Sequence, residues 1–250
     1  HTGNLQIGSV FPSSFVQLQD NLYFIGQDSE HGKELRRYDG TGVKLISEIG
    51  PAEQGNNTGW MIAYQDKILL TASESTHSIE LYVYHSAADS IQRFDLNPGS
   101  EASLPAFYTM HRDTVFFAAN HPELGRELWK YDGDVLATID VAVGAESSSP
   151  YYFTAHQDKL FFTAKDSLHG RELWCYQRGT ARRLTDIYPG PEDGTPRTDW
   201  RESRMSAVYQ GDLYFMGADA EHGEELWKFD GQQATLVADI NPGESGSDPQ

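Results

Sequence analysis

The pair Glu-Leu recurs five times along the chain at nearly constant spacing. Its glutamates are Glu34, Glu80, Glu127, Glu172 and Glu225, which are 46, 47, 45 and 53 residues apart. The last interval is longer because of one insertion, at residues 194–204. A fixed period of about 47 residues is typical of repeat proteins, in which each copy forms one supersecondary unit that packs on its neighbours. A chain of 250 residues is thereby restricted to folds built from five similar units.

Each copy contains four strand-like runs separated by turn residues. In the fifth copy the runs are 206–209, 213–217, 226–229 and 234–240. The first turn of each copy is short and polar, and its Asp, Asn and Gly residues are expected to supply the positive φ of a tight hairpin. Another turn contains Asp-Gly, at 39–40, 132–133 and 230–231. Because no run has helical periodicity, the sequence predicts an all-β protein, a five-bladed β-propeller with four antiparallel strands per blade.

The repeat also predicts the domain boundaries. The five blades are expected at about 15–60, 61–105, 106–150, 151–204 and 205–250. Residues 1–14 do not complete a copy, although 5–12 weakly resemble a fourth strand with the loop that follows it. This N-terminal segment is therefore either a clasp strand that closes the ring or the remnant of a preceding repeat.

Composition excludes several classes of function. The formal net charge of −18, from 37 acidic and 19 basic residues, repels phosphate backbones and argues against a nucleic-acid partner. Cys175 is the single cysteine, so neither an internal disulfide nor a cysteine zinc cluster can form. No run of 18 apolar residues occurs, which argues against insertion into a membrane. Residues 1–4 lack the basic start and apolar stretch of a signal peptide.

Three strings carry a family resemblance. They are His-Gly-Arg-Glu-Leu-Trp at 169–174, Gly-Arg-Glu-Leu-Trp-Lys-Tyr-Asp-Gly at 125–133 and Asp-Ile-Asn-Pro-Gly at 239–243. They resemble the Glu-Leu-Trp-x-x-Asp-Gly-Thr repeats of large secreted or surface bacterial proteins, sometimes labelled hyalin-like, and the resemblance covers residues 15–250. It implies an extracellular or cell-surface location and no defined activity. Copy two departs most, with Tyr82 in place of Trp, and copy one has Arg36 there.

A second motif, Asp-x-x-His-Gly-x-Glu, is the sequence feature that best matches a metal site. Three copies carry it in full, as Asp28, His31, Glu34; Asp166, His169, Glu172; and Asp219, His222, Glu225. Copy two has Glu74 at the first position, and copy three has Leu124 at the His position. Such side chains can bind metal, and oxygen-rich loops suit calcium. The favoured interpretation is structural, because turns must satisfy their own backbone hydrogen bonds. No cofactor is firmly implied, and calcium is the alternative.

The five tryptophans divide into two groups. Trp129, Trp174 and Trp227 occupy one repeat position in the third strand, which predicts packing between adjacent blades. Trp60 and Trp200 lie in loops that depart from the pattern, and the second loop also carries Arg197, Arg201 and Arg204. Aromatic rings on loops of a rigid scaffold can stack on a ligand, and arginines can bind its acidic groups. These five residues are the predicted ligand-binding site, and the alternative for each Trp is packing onto its own blade.

Catalysis has little support in the sequence. The first strands of the five copies contain no Asp or Glu, whereas propeller glycosidases direct two or three carboxylates into the central funnel. His111 and His156 end two of these strands, but neither has a partnered nucleophile. The sequence therefore predicts a non-catalytic, lectin-like recognition or adhesion module that binds a glycan or protein on its loop face. A glycan-cleaving enzyme with acids on the loops and a purely structural spacer are the alternatives.

Overall fold

The computed structural model describes residues 15–49, 59–73, 79–99, 101–143, 146–195 and 206–249. These residues form twenty strands in five sheets of four, and each sheet has its strands in chain order. This confirms the predicted architecture of five four-stranded antiparallel blades. The predicted N-terminal segment, 1–14, lies outside the described residues.

The strands of the first two blades are Phe15–Leu18 (β1), Asn21–Asp28 (β2), Gly32–Tyr38 (β3) and Val43–Leu45 (β4), then Met61–Tyr64 (β5), Lys67–Ser73 (β6), Ile79–His85 (β7) and Ser90–Phe94 (β8). Those of the third blade are Ala106–His111 (β9), Thr114–His121 (β10), Gly125–Tyr131 (β11) and Leu136–Ile139 (β12). Those of the last two blades are Tyr151–His156 (β13), Lys159–Asp166 (β14), Gly170–Gln177 (β15) and Thr180–Arg183 (β16), then Ser206–Tyr209 (β17), Asp212–Asp219 (β18), Gly223–Phe229 (β19) and Ala234–Ala238 (β20). Among the described residues, none belongs to a helix that is long and apolar enough to cross a membrane.

The hairpin between the first two strands of each blade has two central residues. The positive φ lies on the first of them, namely Gln19, Gln65, Arg112, Gln157 and Gln210, at 53–55°. The expectation that Asp, Asn or Gly would take this conformation is therefore wrong in the first four blades, and in the fifth Gly211 takes it as well. The reason is geometric, because both primed turn types that match strand twist require positive φ at their first central residue.

The chain packs into two compact units. The first comprises the residues up to Tyr108 together with Ala119–Pro122, and the second comprises Thr109–Ala118 and the residues from Glu123 onward. In the first unit, Leu18, Tyr23 and Leu35 from blade one share a buried cluster with Ile68 and Tyr82 from blade two. Facing sheets therefore bury their apolar side chains against each other, as stacked layers must.

Aromatic pairs recur at the contacts between adjacent sheets. An aromatic side chain from the second strand of one blade meets one from the end of the next blade's third strand. The pairs are Tyr23 with Tyr84 at 5.7 Å between ring centroids, Phe116 with Tyr176 at 5.0 Å and Phe161 with Phe229 at 6.2 Å. Each pair adds a directional ring contact to the burial of apolar surface.

Candidate functional site

The Asp and His of the repeated motif form a local turn. Between β2 and β3, Asp28 Oδ1 accepts hydrogen bonds from the backbone N–H of Glu30 at 3.0 Å and of His31 at 2.6 Å. The His31 ring places Nδ1 3.1 Å from both oxygens of the same carboxylate. Gly32 then takes φ +72°, which closes the turn and starts β3. One carboxylate thus satisfies two loop amides and orients the imidazole ring.

The same turn is repeated in blades four and five. Nδ1 of His169 lies 2.9 and 3.0 Å from the two oxygens of Asp166, and Nδ1 of His222 lies 3.0 Å from both oxygens of Asp219. In each blade the Asp also accepts the amide of the His, at 2.8 and 2.7 Å. The motif is therefore a hairpin cap whose partners are local in sequence.

These contacts shift the acidity of both partners. The His31 amide, with further hydrogen bonds from the His31 ring and from Arg36, holds the pKa of Asp28 well below its ordinary value. The hydrogen bond to the carboxylate raises the pKa of His31, and the same contact with Asp219 raises that of His222. Partial burial opposes ionisation of Asp219, but the hydrogen bonds from His222 still lower its pKa. The pairs are thereby stabilised in their charged forms.

The Glu of the motif lies elsewhere and holds a different segment. We call the chain that follows a blade's fourth strand its exit loop. Glu172 is fully buried, and its Oε2 accepts from the Thr185 hydroxyl at 2.6 Å while Oε1 accepts from the Ile187 amide at 3.0 Å. Glu34 is fully buried as well and accepts from the Ser47 hydroxyl and the Ile49 amide, both at 3.0 Å.

The equivalent glutamates of the other blades repeat this contact. Glu80, Glu127 and Glu225 are also fully buried, and each accepts a hydroxyl from the exit loop of its own blade, from Ser103, Ser148 and Ser247 respectively. Burial raises the pKa of Glu127 and of Glu172. Burial also disfavours ionisation of Glu225, but hydrogen bonds from Ser247, Asn241 and Ile240 outweigh it and lower that pKa.

The exit loops also connect adjacent sheets through backbone hydrogen bonds. In the second unit, the Ser149 amide donates to Arg126 O in β11 at 2.9 Å, and Ser148 O accepts the Lys165 amide of β14 at 2.9 Å. The next loop does the same, since Thr195 donates to Arg171 O and Gly194 O accepts the Ala218 amide. A loop held by the buried glutamate is therefore bonded to its own blade and to the following one.

The motif's acids and histidines are thus divided between two structural tasks. Asp28 and His31 bond to each other, whereas Glu34 bonds to the exit loop, so the three side chains do not converge on a common point. Within the described ranges, no group of three or more His, Cys, Asp or Glu side chains is placed to hold a metal ion. Residues Glu74 and His77 of the second copy lie outside those ranges. The side chains of the motif therefore hold the hairpin turn and the exit loop in place.

Two of the third-strand tryptophans, Trp174 and Trp227, pack between sheets. Trp174 is 7% exposed and shares a buried cluster with Phe116, Leu128 and Val141 of the preceding blade. Trp227 packs against a buried cluster that includes Phe161 and Leu173 of blade four, again the preceding blade. The ring of Trp129, also 7% exposed, stacks on Phe117 of its own blade at 6.4 Å. These contacts supply apolar burial rather than an open binding surface.

Of the five residues predicted to bind ligand, the structure describes Trp60. Its side chain is partly buried, and its ring centroid lies 4.8 Å from that of Phe107. Its carbonyl accepts the Thr71 amide at 3.0 Å, which joins the residue preceding β5 to β6. Arg197, Trp200, Arg201 and Arg204 lie outside the described residues.

The histidines that end two first strands are packed differently. His111 is buried, at 7% exposure, beside the ring of Phe116 at 6.1 Å, and burial lowers its pKa. His156 is partly buried at the end of β13, opposite Lys159. Neither arrangement pairs the imidazole with a nucleophile among the contacts described.

Two features that recur in the blades were not predicted from the sequence. One is the exit-loop hydroxyl that bonds the buried glutamate. The other is a small residue directly opposite that glutamate in the second strand, namely Gly26, Ala72, Ala164 and Gly217. A Cβ on Gly217 would come within 2.6 Å of Trp227 Cδ1. The small residue was visible in the sequence, because it lies eight positions before each of these glutamates. The hydroxyl lies 13 to 23 residues after its glutamate and follows no fixed spacing.

The chain matches no protein-family model and no curated protein sequence. Its structure is similar to that of the β-propeller domain of the Trilobed protease from Pyrococcus furiosus, with a TM-score of 0.50 and 13% identity over 88% of this chain and 67% of that one. It is also similar to puromycin hydrolase, with a TM-score of 0.55 and 12% identity over 94% of this chain and 38% of the hydrolase.

At such identities the likeness shows the fold alone. The chain is a β-propeller of five four-stranded blades. It spans 38% of the hydrolase to which it is similar.

Proposed function

We propose that this chain is a non-catalytic recognition or adhesion module of an extracellular or cell-surface protein, and that it binds a glycan or a protein partner through its loops. The observation that carries the proposal is that the repeated polar side chains are engaged in structural hydrogen bonds. In the described blades, the Asp–His turns and the buried glutamates bond to neighbouring backbone and hydroxyl groups. Recognition is therefore assigned to positions that break the repeat.

The proposal of a module within a larger protein rests on the resemblance to the repeats of large bacterial surface proteins. The similar region accounts for 38% of puromycin hydrolase, so the likeness does not carry that protein's activity to this chain. The extracellular location is inferred from the resemblance to repeats of bacterial surface proteins. The net charge of −18 suits a soluble acidic surface with ligands other than nucleic acids.

Trp60 and, separately, the segment around Trp200 are the two positions proposed to contact a ligand. Phe107 covers one part of the Trp60 ring and thereby holds it in place, while the side chain remains partly exposed. A positioned indole can stack on the apolar face of a sugar ring. Trp200 is proposed to stack likewise, with Arg197, Arg201 or Arg204 bonded to an acidic group, which would suit an anionic saccharide.

The test is a glycan array probed with the whole chain, with and without calcium. We expect binding to at least one saccharide, weaker at high salt if an arginine contacts an acidic group. Trp60→Ala should weaken the binding about tenfold or more, whereas Trp60→Phe, which retains a ring, should lose less. An array without hits, or equal binding by Trp60→Ala and the unchanged chain, contradicts the proposed site.

A further inference from the structure

The carboxyl group of Glu127 is buried without a cationic partner. It is fully buried in β11 and accepts three hydrogen bonds, from the Val141 amide at 2.9 Å, the Ser148 amide at 2.7 Å and the Ser148 hydroxyl at 2.6 Å. All three donors are neutral. An ionised carboxylate in such surroundings loses hydration that neutral donors only partly replace.

The charged groups near this carboxyl do not neutralise it. Asp140, at the start of the exit loop, raises the pKa of Glu127 further through its negative charge. Arg126, the preceding residue in β11, bonds through its guanidinium to Ala118 O at 3.3 Å. Glu146 on the loop and Lys165 on β14 have exposed side chains. The dominant cause of the raised pKa is burial.

The segment that Glu127 holds also carries the bonds between two blades. Ser148 donates to Glu127 and accepts the Lys165 amide of blade four, and Ser149 donates to Arg126 O of blade three. The Arg171 guanidinium of blade four donates to Ser149 O at 2.8 Å. Release of the carboxyl would therefore loosen the connection between two neighbouring sheets.

We propose that Glu127 makes the attachment of this exit loop proton-dependent, so that the loop is held more tightly in mildly acidic solution than at neutral pH. The neutral carboxyl no longer bears the cost of a buried charge, and it can donate its proton to Ser148 Oγ across the 2.6 Å contact. The pKa of Glu127 is raised while the loop is attached. The stabilisation of the attached loop is therefore fully present at pH values below the ordinary glutamate pKa, and it is lost as the pH rises through the raised pKa.

Hydrogen exchange of the whole chain tests this proposal. The protection factors of the Ser149 and Lys165 amides, corrected for intrinsic exchange, should fall by about threefold or more between pH 5 and pH 7.5, since each unit of pKa difference is a tenfold change in the opening equilibrium. Glu127→Gln should remove most of this dependence. The matched control is Glu225→Gln, at the same repeat position in blade five, which should leave the pH dependence at Ser149 intact.

A second measurement covers the case in which Glu127→Gln does not fold. Carbon-13 NMR of labelled glutamate carboxyls in the unchanged chain should show Glu127 titrating above the ordinary value of 4.5. Titration at or below that value overturns the proposal, as does an equal pH dependence of Ser149 protection in the unchanged chain and in Glu127→Gln.

Discussion

At the scale of single residues, the buried glutamate is the side chain with the most demanding environment in each blade. A carboxylate that is fully removed from water is costly unless several donors surround it. Here each donor set combines an exit-loop hydroxyl with backbone amides, and hydrogen bonds to a charged acceptor are stronger than neutral ones. The glutamate is therefore best understood as a loop-holding group, and its removal should destabilise the fold.

Glu172 allows this role to be measured. Glu172→Ala should lower the free energy of unfolding by about 2–4 kcal/mol, because the Ile187 amide and the Thr185 hydroxyl lose their buried acceptor. Glu172→Gln should cost less than half as much, since its carbonyl can face the amide and its NH₂ can donate to Thr185 Oγ1. Urea unfolding at pH 7 provides the comparison. A loss below about 1 kcal/mol for the alanine variant would show that water readily replaces the carboxylate.

Gly217 should be intolerant of any side chain. Its added Cβ would lie 2.6 Å from Trp227 Cδ1, so Gly217→Ala should destabilise the protein by about 1–3 kcal/mol through overpacking. Gly42→Ala is the matched control, because no atom lies within 4 Å of the Cβ position there. Equal thermal stability of the two variants would show that Trp227 can move aside.

At the scale of the hairpin, the Asp-Gly turn between β3 and β4 should lose stability as the pH falls. Asp39 Oδ1 accepts from the Thr41 hydroxyl at 2.7 Å and from the amides of Thr41 and Gly42 at 2.9 and 3.0 Å. These bonds, led by the Thr41 hydroxyl, lower the pKa of Asp39 to about 2. A lowered pKa means that the stabilisation is present above the ordinary value of 3.8 and is lost as pH falls toward 2.

The difference in the free energy of unfolding between the unchanged chain and Asp39→Ala should therefore decrease from pH 4 to pH 2. Asp39→Asn keeps one acceptor oxygen without a titrating group, so its difference from Asp39→Ala should stay nearly constant over that range. Denaturant unfolding at several pH values gives both differences. If the difference between the unchanged chain and the alanine variant does not vary with pH, these hydrogen bonds to the carboxylate are not what stabilises the turn.

The contact between two blades can be tested at Trp174. Trp174→Ala should cost about 3–5 kcal/mol, because a large side chain buried between blades three and four is replaced by a cavity. Trp174→Phe should cost less, since much of the apolar surface remains. A loss under about 1 kcal/mol for the alanine variant, measured by urea unfolding, would place the indole on the surface.

At the scale of the whole molecule, the net charge of −18 should make stability sensitive to salt and pH together. Repulsion among excess carboxylates disfavours the compact state, and salt screens it. Added sodium chloride should therefore raise the unfolding temperature more at pH 7 than near the sequence pI of about 4.7, where the net charge is small. Equal salt effects at both pH values would mean that local pairs, rather than the overall charge, dominate.

The sequence by itself determined the strands and their number. The period of about 47 residues, the alternation within each run and the turn residues are local patterns, and strand pairing within a blade follows from them. The Asp–His turn was likewise predictable as a backbone-bonding motif, because its partners lie two or three residues apart. Phe107, by contrast, contacts Trp60 from the next blade, which no local pattern indicates.

Only the tertiary structure shows that the motif's glutamate has different hydrogen-bond partners from its Asp and His. Glu34 bonds to Ser47, and Glu127 to Ser148, 13 and 21 residues further along the chain. Those contacts exist because the exit loop folds back over the blade and offers its amides to a buried acceptor. A sequence motif shows which groups are available and how far apart they are along the chain. Which of them meet is decided by how the sheets and loops pack, since burial and unsatisfied hydrogen bonds are properties of the folded molecule.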